Sequence, residues 1–125
     1  LLVTHGLSAQ TNYTSYFTGN TADVVTQPTG GICMMGGATE DDNAMIWFLQ
    51  RAIGGDVLVL RASGSDGYND YLYADLGVPV NSVETIVFSD ASASSEPYVQ
   101  ERIRQAEEVI NGTISHIGRT HLLIV

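Results

Sequence analysis

The sequence predicts an α/β fold in which a mostly parallel sheet is flanked by helices on both faces. Short, wholly apolar runs recur along the chain, too short for helices and without polar alternation, as strands buried on both faces are. The stretches between them carry helix-start residues at one end and glycine at the other. With 44% hydrophobic and only 15% charged residues, the 125-residue chain has the composition of a packed domain, or part of a larger one, rather than of a disordered segment.

The elements follow in order. Residues 1–28 read as an arm, polar from Thr11 onward, and residues 29–125 as the α/β part. Gly30-Gly31 opens a predicted strand at Ile32–Met35, which Gly36-Gly37 ends. Thr39 and the acidic run Glu40-Asp41-Asp42 place capping oxygens and negative charge at the start of a helix over Asn43–Ala52, and Gly54-Gly55 stops it. Val57–Leu60 is the next strand. The turn Arg61–Gly67 leads to a helix from Tyr68 to Leu76, closed by Gly77. Val83–Phe88 is a strand, Ser89–Ser95 a loop, and Pro97–Glu108 a helix, with Pro97 suited to its first turn and Ser95 to its cap. Leu122–Val125 reads as a further buried strand. Alternation of this kind indicates a parallel sheet with covered faces, and ligands of such sheets bind outside the carboxyl ends of the strands. That singles out Gly36–Asp42, Arg61–Asn69 and Ser89–Ser95.

Charge narrows the classes of partner. Five arginines and no lysine face 14 Asp+Glu, for a formal charge of −9. No basic patch exists to neutralise phosphates, so nucleic acid and anionic membrane surfaces are disfavoured, and no apolar stretch approaches the roughly 20 residues of a membrane span. The single cysteine, Cys33, excludes an internal disulfide, and within its apolar run it reads as a buried, inert thiol. No Cys/His cluster has zinc spacing, and no cofactor is called for.

The ends read as incomplete. Leu1–Gln10 resembles the last turn of a secretory signal peptide with its cleavage site, or a disordered arm, which makes a secreted protein the expectation. Asn12-Tyr13-Thr14 and Asn111-Gly112-Thr113 fit the N-glycosylation pattern. The last four residues stop inside a strand.

Three constellations carry chemistry. Gly36-Gly37 followed by three carboxylates at a helix N-terminus repels phosphate and suits a guanidinium or amine; helix capping explains the same residues without a ligand. Ser63-Gly64-Ser65-Asp66-Gly67 falls one residue short of a nucleophile elbow. A serine there would need a histidine base, and the histidines, His5, His116 and His121, lie in the terminal segments, so a plain turn is the better account. Tyr68 and Tyr71, three apart, share a helix face beside Asn69, Asp70 and Tyr73. Half-buried packing with exposed hydroxyls is the more common explanation for them, ahead of ligand contact.

Taken together, Gly36–Asp42, Trp47-Phe48-Leu49, Gly54–Gly64, Tyr68–Tyr71 and Asn81–Thr85 resemble, in order and spacing, the amino-terminal half of cyanophycinase-like proteins, over about Gly30 to Glu108. These are serine peptidases of the type 1 glutamine amidotransferase-like fold, a three-layer, flavodoxin-like arrangement. The resemblance implies a hydrolase acting on cyanophycin, a polyaspartate bearing arginine on each side chain, or on a related acidic or β-linked peptide. It also implies a serine nucleophile in a Gly-Thr-Ser-Ala-Gly turn, downstream of a Gly-Gly-Asp-Gln motif. Here Val109–His116 follows the last helix and neither motif appears, so no catalytic residue carries over and this chain is expected to be inactive by itself. The rim of the family's pocket corresponds to Gly36, Gly37, Glu40, Asp41, Arg61, Ser63 and Gly64, the expected substrate contacts, with Asp41 the best placed for a guanidinium.

Two alternatives come from other classes: a non-catalytic module that binds cationic peptides, and a nucleotide- or flavin-binding domain. The second lacks Gly-x-Gly-x-x-Gly spacing and puts carboxylates where phosphate would sit. Apolar strands at exposed edges also open a route to a homo-oligomer.

Overall fold

The computed structural model describes residues 12–37, 39–110 and 119–124. It is an α/β structure with one four-stranded mixed sheet in the order β1-β3-β2-β4. β2 (Asp56–Arg61), β3 (Ser82–Phe88) and β4 (Arg119–Ile124) run parallel, and β1 (Tyr13–Gly19) lies antiparallel against β3. The central register sets Val57 opposite Val83 and Leu60 opposite Ile86.

Helix α1 (Asp42–Gln50) precedes β2. Helix α2 (Gly67–Asp70) follows it and widens into a π-helical turn over Tyr71–Asp75, where Leu76 N–H reaches the Tyr71 carbonyl at 3.3 Å. A 3₁₀ turn (Ala91–Ser95) and helix α3 (Pro97–Ile110) come between β3 and β4.

Alternation along the strands divides the core in two. Val57, Val59 and Val83 pack with Met45, Phe48 and Leu49 of α1 and with Leu72. Their neighbours Leu58 and Ile86 pack instead with Tyr13, Ala93, Val99 and Ala106. Strands buried on both sides cannot show polar alternation, which is why β2 reads as a continuous apolar run.

Three buried polar groups tie these layers together, each with the partners a low-dielectric interior demands. The Asp56 carboxylate accepts from Ser82 Oγ (2.5 Å), Asn81 Nδ2 (2.7 Å) and the Val24 N–H (3.2 Å). Asn69 donates to the Tyr16 carbonyl and to Thr18 Oγ1, both at 3.1 Å, and accepts from Thr85 Oγ1 at 2.6 Å, locking α2 to β1 and β3. Glu84 accepts from Ser15 Oγ, Tyr98 Oη and Arg102 Nε, each at 2.6 Å, joining β1, β3 and α3. A void of about 10 Å³ lies between the Asp56 and Glu84 centres, lined by Asp56, Ser82, Glu84 and Arg102 among others, with room for one water molecule.

Several expectations are corrected. Ile32–Met35 is not a strand: residues 23–36 form no regular structure, and Ile32 and Met34 are 84% and 87% exposed. Both edges of β2 are taken, by β3 and β4, so the run has no strand to join there. Thr29 N–H instead bonds the Arg51 carbonyl at 2.9 Å, and Arg51 Nε bonds the Gly30 carbonyl at 2.9 Å, holding the stretch against the end of α1. Cys33 is accordingly half-buried rather than enclosed.

The polar arm was expected to continue to residue 28, but Tyr13–Gly19 within it is the edge strand, rich in the aromatic and β-branched residues that strands favour. Glu96 rather than Ser95 occupies the cap position of α3: its carbonyl accepts from Gln100 N–H at 3.0 Å, while Ser95 completes the 3₁₀ turn. The signal-like start at 1–10, the second glycosylation pattern at 111–113 and His116 lie outside the described residues.

Candidate functional site: a charged cleft at the carboxyl end of β2

β2 ends at Arg61, and the chain turns through Ala62–Asp66 into α2. The start of α1 comes alongside. Between them opens a cleft of about 350 Å³, lined by Thr39, Glu40, Asp42, Arg61, Gly67, Tyr68 and Tyr71. It sits where ligands of open α/β sheets bind, outside the carboxyl end of a parallel strand.

The two tyrosines span this cleft. Tyr68 Oη donates to Glu40 Oε1, and Tyr71 Oη donates to Asp42 Oδ1 at 2.7 Å. Their rings meet edge to face with centroids 6.3 Å apart, as residues three apart on one helical surface do. The carboxylates are thereby held by phenols from α2 rather than left to swing from the start of α1. Burial pushes the Tyr71 phenol up to about 12, helped by the hydrogen bond to Asp42 and by the negative charges of Asp42, Glu40 and Asp41.

Arg61 supplies the opposite charge. Its guanidinium carbon lies 5.1 Å from the centre of the Tyr68 ring, in cation–π range, and Nη1 reaches the Ser65 carbonyl at 3.4 Å. Among the described residues no carboxylate forms an ion pair with it. The cleft thus holds two carboxylates and one guanidinium, and it can bind a ligand of either sign or of both.

Of the expected contact residues, the fold brings Glu40 and Arg61 into the lining. Gly64 stands directly behind the Arg61 guanidinium. Asp41 serves α1: its Oδ1 accepts the Ala44 N–H at 2.9 Å, and it is the helix N-cap rather than a lining residue. Gly36 and Gly37 are exposed, with open space around them, and Ser63 is exposed on the turn; none of the three lines the cleft. Asp42, Tyr68 and Tyr71 line it as well, although helix capping accounts for the first as readily as a ligand does and packing is the more common role for the two tyrosines. Their signal was the spacing of the two tyrosines, but nothing local reveals which carboxylates they reach across 28 and 29 positions.

The other buried ionic centre, Glu84 with Arg102, Tyr98 and Ser15, is closed by its own partners. Burial and then Glu84 raise the Tyr98 phenol well above its usual value. Among the described residues no cluster of three His, Cys, Asp or Glu could hold a metal ion, and no helix is long and apolar enough to cross a membrane. Comparison with known proteins gives no family for the chain: no family model, curated protein or solved structure matches it.

Proposed function

We propose that the chain is the amino-terminal part of a cyanophycinase-like serine-type peptidase of three-layer, type 1 glutamine amidotransferase-like fold. In this reading the cleft at the end of β2 is the rim that holds an arginine-bearing acidic peptide. The observation that carries it is the pair of carboxylates, Glu40 and Asp42, in one cleft outside a parallel strand. A guanidinium matches a carboxylate with two parallel hydrogen bonds. Two carboxylates already oriented by phenols lose little freedom when they receive it.

The intact enzyme then works by nucleophilic catalysis. A serine hydroxyl from beyond the resembling region attacks the peptide carbonyl and passes its proton through a base to the leaving amine. Water hydrolyses the resulting acyl-enzyme, and backbone N–H groups stabilise the oxyanion in both steps. This chain contributes binding and orientation. Incubated with cyanophycin, the 125-residue chain should release no ninhydrin-positive dipeptide; release would contradict the assignment of the nucleophile to another segment. The downstream coding sequence in all three frames should contain Gly-Gly-Asp-Gln and a Gly-x-Ser-x-Gly turn, and their absence would overturn the peptidase reading.

A second reading, a non-catalytic module for cationic peptides, rests on the same cleft carboxylates, Glu40 and Asp42, which can hold a cation without a reacting group beside them. Binding of an arginine-bearing peptide by a full-length gene product that also lacks the serine turn would select it.

A further inference from the structure

We propose that Arg61 is a carboxylate anchor, so that the cleft selects ligands in which a free carboxylate stands close to the cationic group taken by Glu40 and Asp42. The inference uses the cleft assigned above and deepens the reading of it; the carboxylate site itself does not depend on the peptidase assignment.

Arg61 is held from two sides. Its guanidinium is backed on one side by the Tyr68 ring, at 5.1 Å, and on another by Gly64. A Cβ at Gly64 would lie 2.8 Å from Cζ, Nη1 and Nη2 of Arg61. Gly64 also has φ +98°, a conformation that strains any residue with a side chain. The turn after β2 favours glycine there by its backbone conformation, and the missing side chain leaves the space that the guanidinium fills; a Cβ would push the guanidinium out of its present position. Gly67, whose Cβ would come 4.0 Å from Nη1, continues the same surface.

The guanidinium has few partners within the described residues. It carries five N–H donors. The hydrogen bond found for it among the described residues is the 3.4 Å contact to the Ser65 carbonyl, and no ion pair forms. The other well-placed arginine of the fold, Arg102, has Glu84 at 2.6 Å. A seated, half-buried guanidinium that lines a cleft and has donors to spare is a receptor for a planar anion.

Glu40 and Asp42 share the cleft. A dianionic phosphate would meet both, whereas a monoanionic carboxylate fits the guanidinium fork with half that repulsion. If the ligand also carries a guanidinium, the repulsion becomes an attraction at the other end.

The test uses the full chain with N-acetyl-arginine and its amide, N-acetyl-argininamide, which keeps the cation and removes the carboxylate. Calorimetry should show the free acid binding about tenfold more tightly than the amide, the worth of one charge-assisted hydrogen-bond pair. Arg61→Met should abolish that preference, bringing acid and amide to equal affinity. Gly64→Ala should reduce it, since the guanidinium loses its seat. In parallel, the Arg61 Nε–H resonance, assigned by its loss in Arg61→Lys, should shift on titration with acetate and less with phosphate.

Equal binding of acid and amide by the unmodified chain would overturn the carboxylate anchor and leave the cation site standing. If neither arginine ligand binds but acetate still moves the Arg61 resonance, the anchor stands and the arginine-peptide reading falls. No response to any of the three overturns both.

Discussion

Asp41 shows how one side chain can satisfy two physical descriptions and serve only one. A carboxylate at the first turn of a helix can receive a cationic ligand or cap the helix, and residue type does not distinguish the two. Geometry does: Oδ1 accepts the Ala44 N–H at 2.9 Å. Asp41→Ala should lower stability by about 1 kcal/mol, the usual worth of an N-cap, and Asp41→Asn should be nearly neutral because asparagine caps as well. Urea denaturation measures both. Neither change should alter ligand affinity, and a selective loss of binding in Asp41→Asn would return Asp41 to the site. Tyr71 offers a test by pH. Its folded-state value is raised from 10.0 to about 12, first by burial and then by Asp42, so the fold favours the neutral phenol. Its contribution to stability is intact below pH 10 and is lost as pH rises through about 12. Ultraviolet titration of phenolate should show one high-pH transition disappear in Tyr71→Phe. An unchanged curve would contradict the Tyr71–Asp42 pairing.

At the scale of elements, α1, β2, α2, β3 and α3 were all legible, because glycine, proline and acidic punctuation frames each apolar run. Two segments were not. β1 is polar in composition, and only Tyr13 among its residues is fully buried; its strand character comes from pairing with β3, a partner nearly 70 residues away. Ile32–Met35 fails in the opposite sense: its apolar run stays outside the sheet, while Thr29 and Gly30 just before it are held by Arg51 at the end of α1. Glu84 is a third illegible feature. It stands in the middle of an apolar strand, and its burial depends on Arg102, Tyr98 and Ser15 arriving from other elements. Removing one member of a buried pair leaves an uncompensated charge, so Arg102→Met should cost about 3–5 kcal/mol, and adding Glu84→Gln should recover part of the loss. Arg102 and Glu84 side chains are 11% and 3% exposed, which places the pair in the buried regime. A cost below 1 kcal/mol in chemical denaturation would show that α3 is not fastened to the sheet through Glu84.

Over the whole molecule, the candidate site was half legible. Fold class placed it at the carboxyl end of β2, and Glu40 and Arg61 were identified from the sequence. Asp42, Tyr68 and Tyr71 lay in segments the sequence singles out, but their pairing, Tyr68 with Glu40 and Tyr71 with Asp42, crosses between elements and shows only in the fold. The exposed run at residues 32–35 tests the corrected architecture. Ile32→Ser with Met34→Ser should leave the urea midpoint equivalent to within about 0.5 kcal/mol, as surface changes do; a loss above about 2 kcal/mol would mean that these residues pack as a buried strand. The formal charge of −9 also has a local expression in the cleft, where Glu40 and Asp42 share the lining with Arg61.

The measurement that bears most directly on the account is calorimetric titration of the 125-residue chain with β-aspartyl-arginine, alongside the Glu40→Gln/Asp42→Asn variant. The account predicts saturable binding that weakens at least about tenfold in the variant, since each lost charge-assisted hydrogen bond is worth about 1.5–3 kcal/mol. Equal affinity in the two proteins, or no binding by the folded unmodified chain, would contradict it.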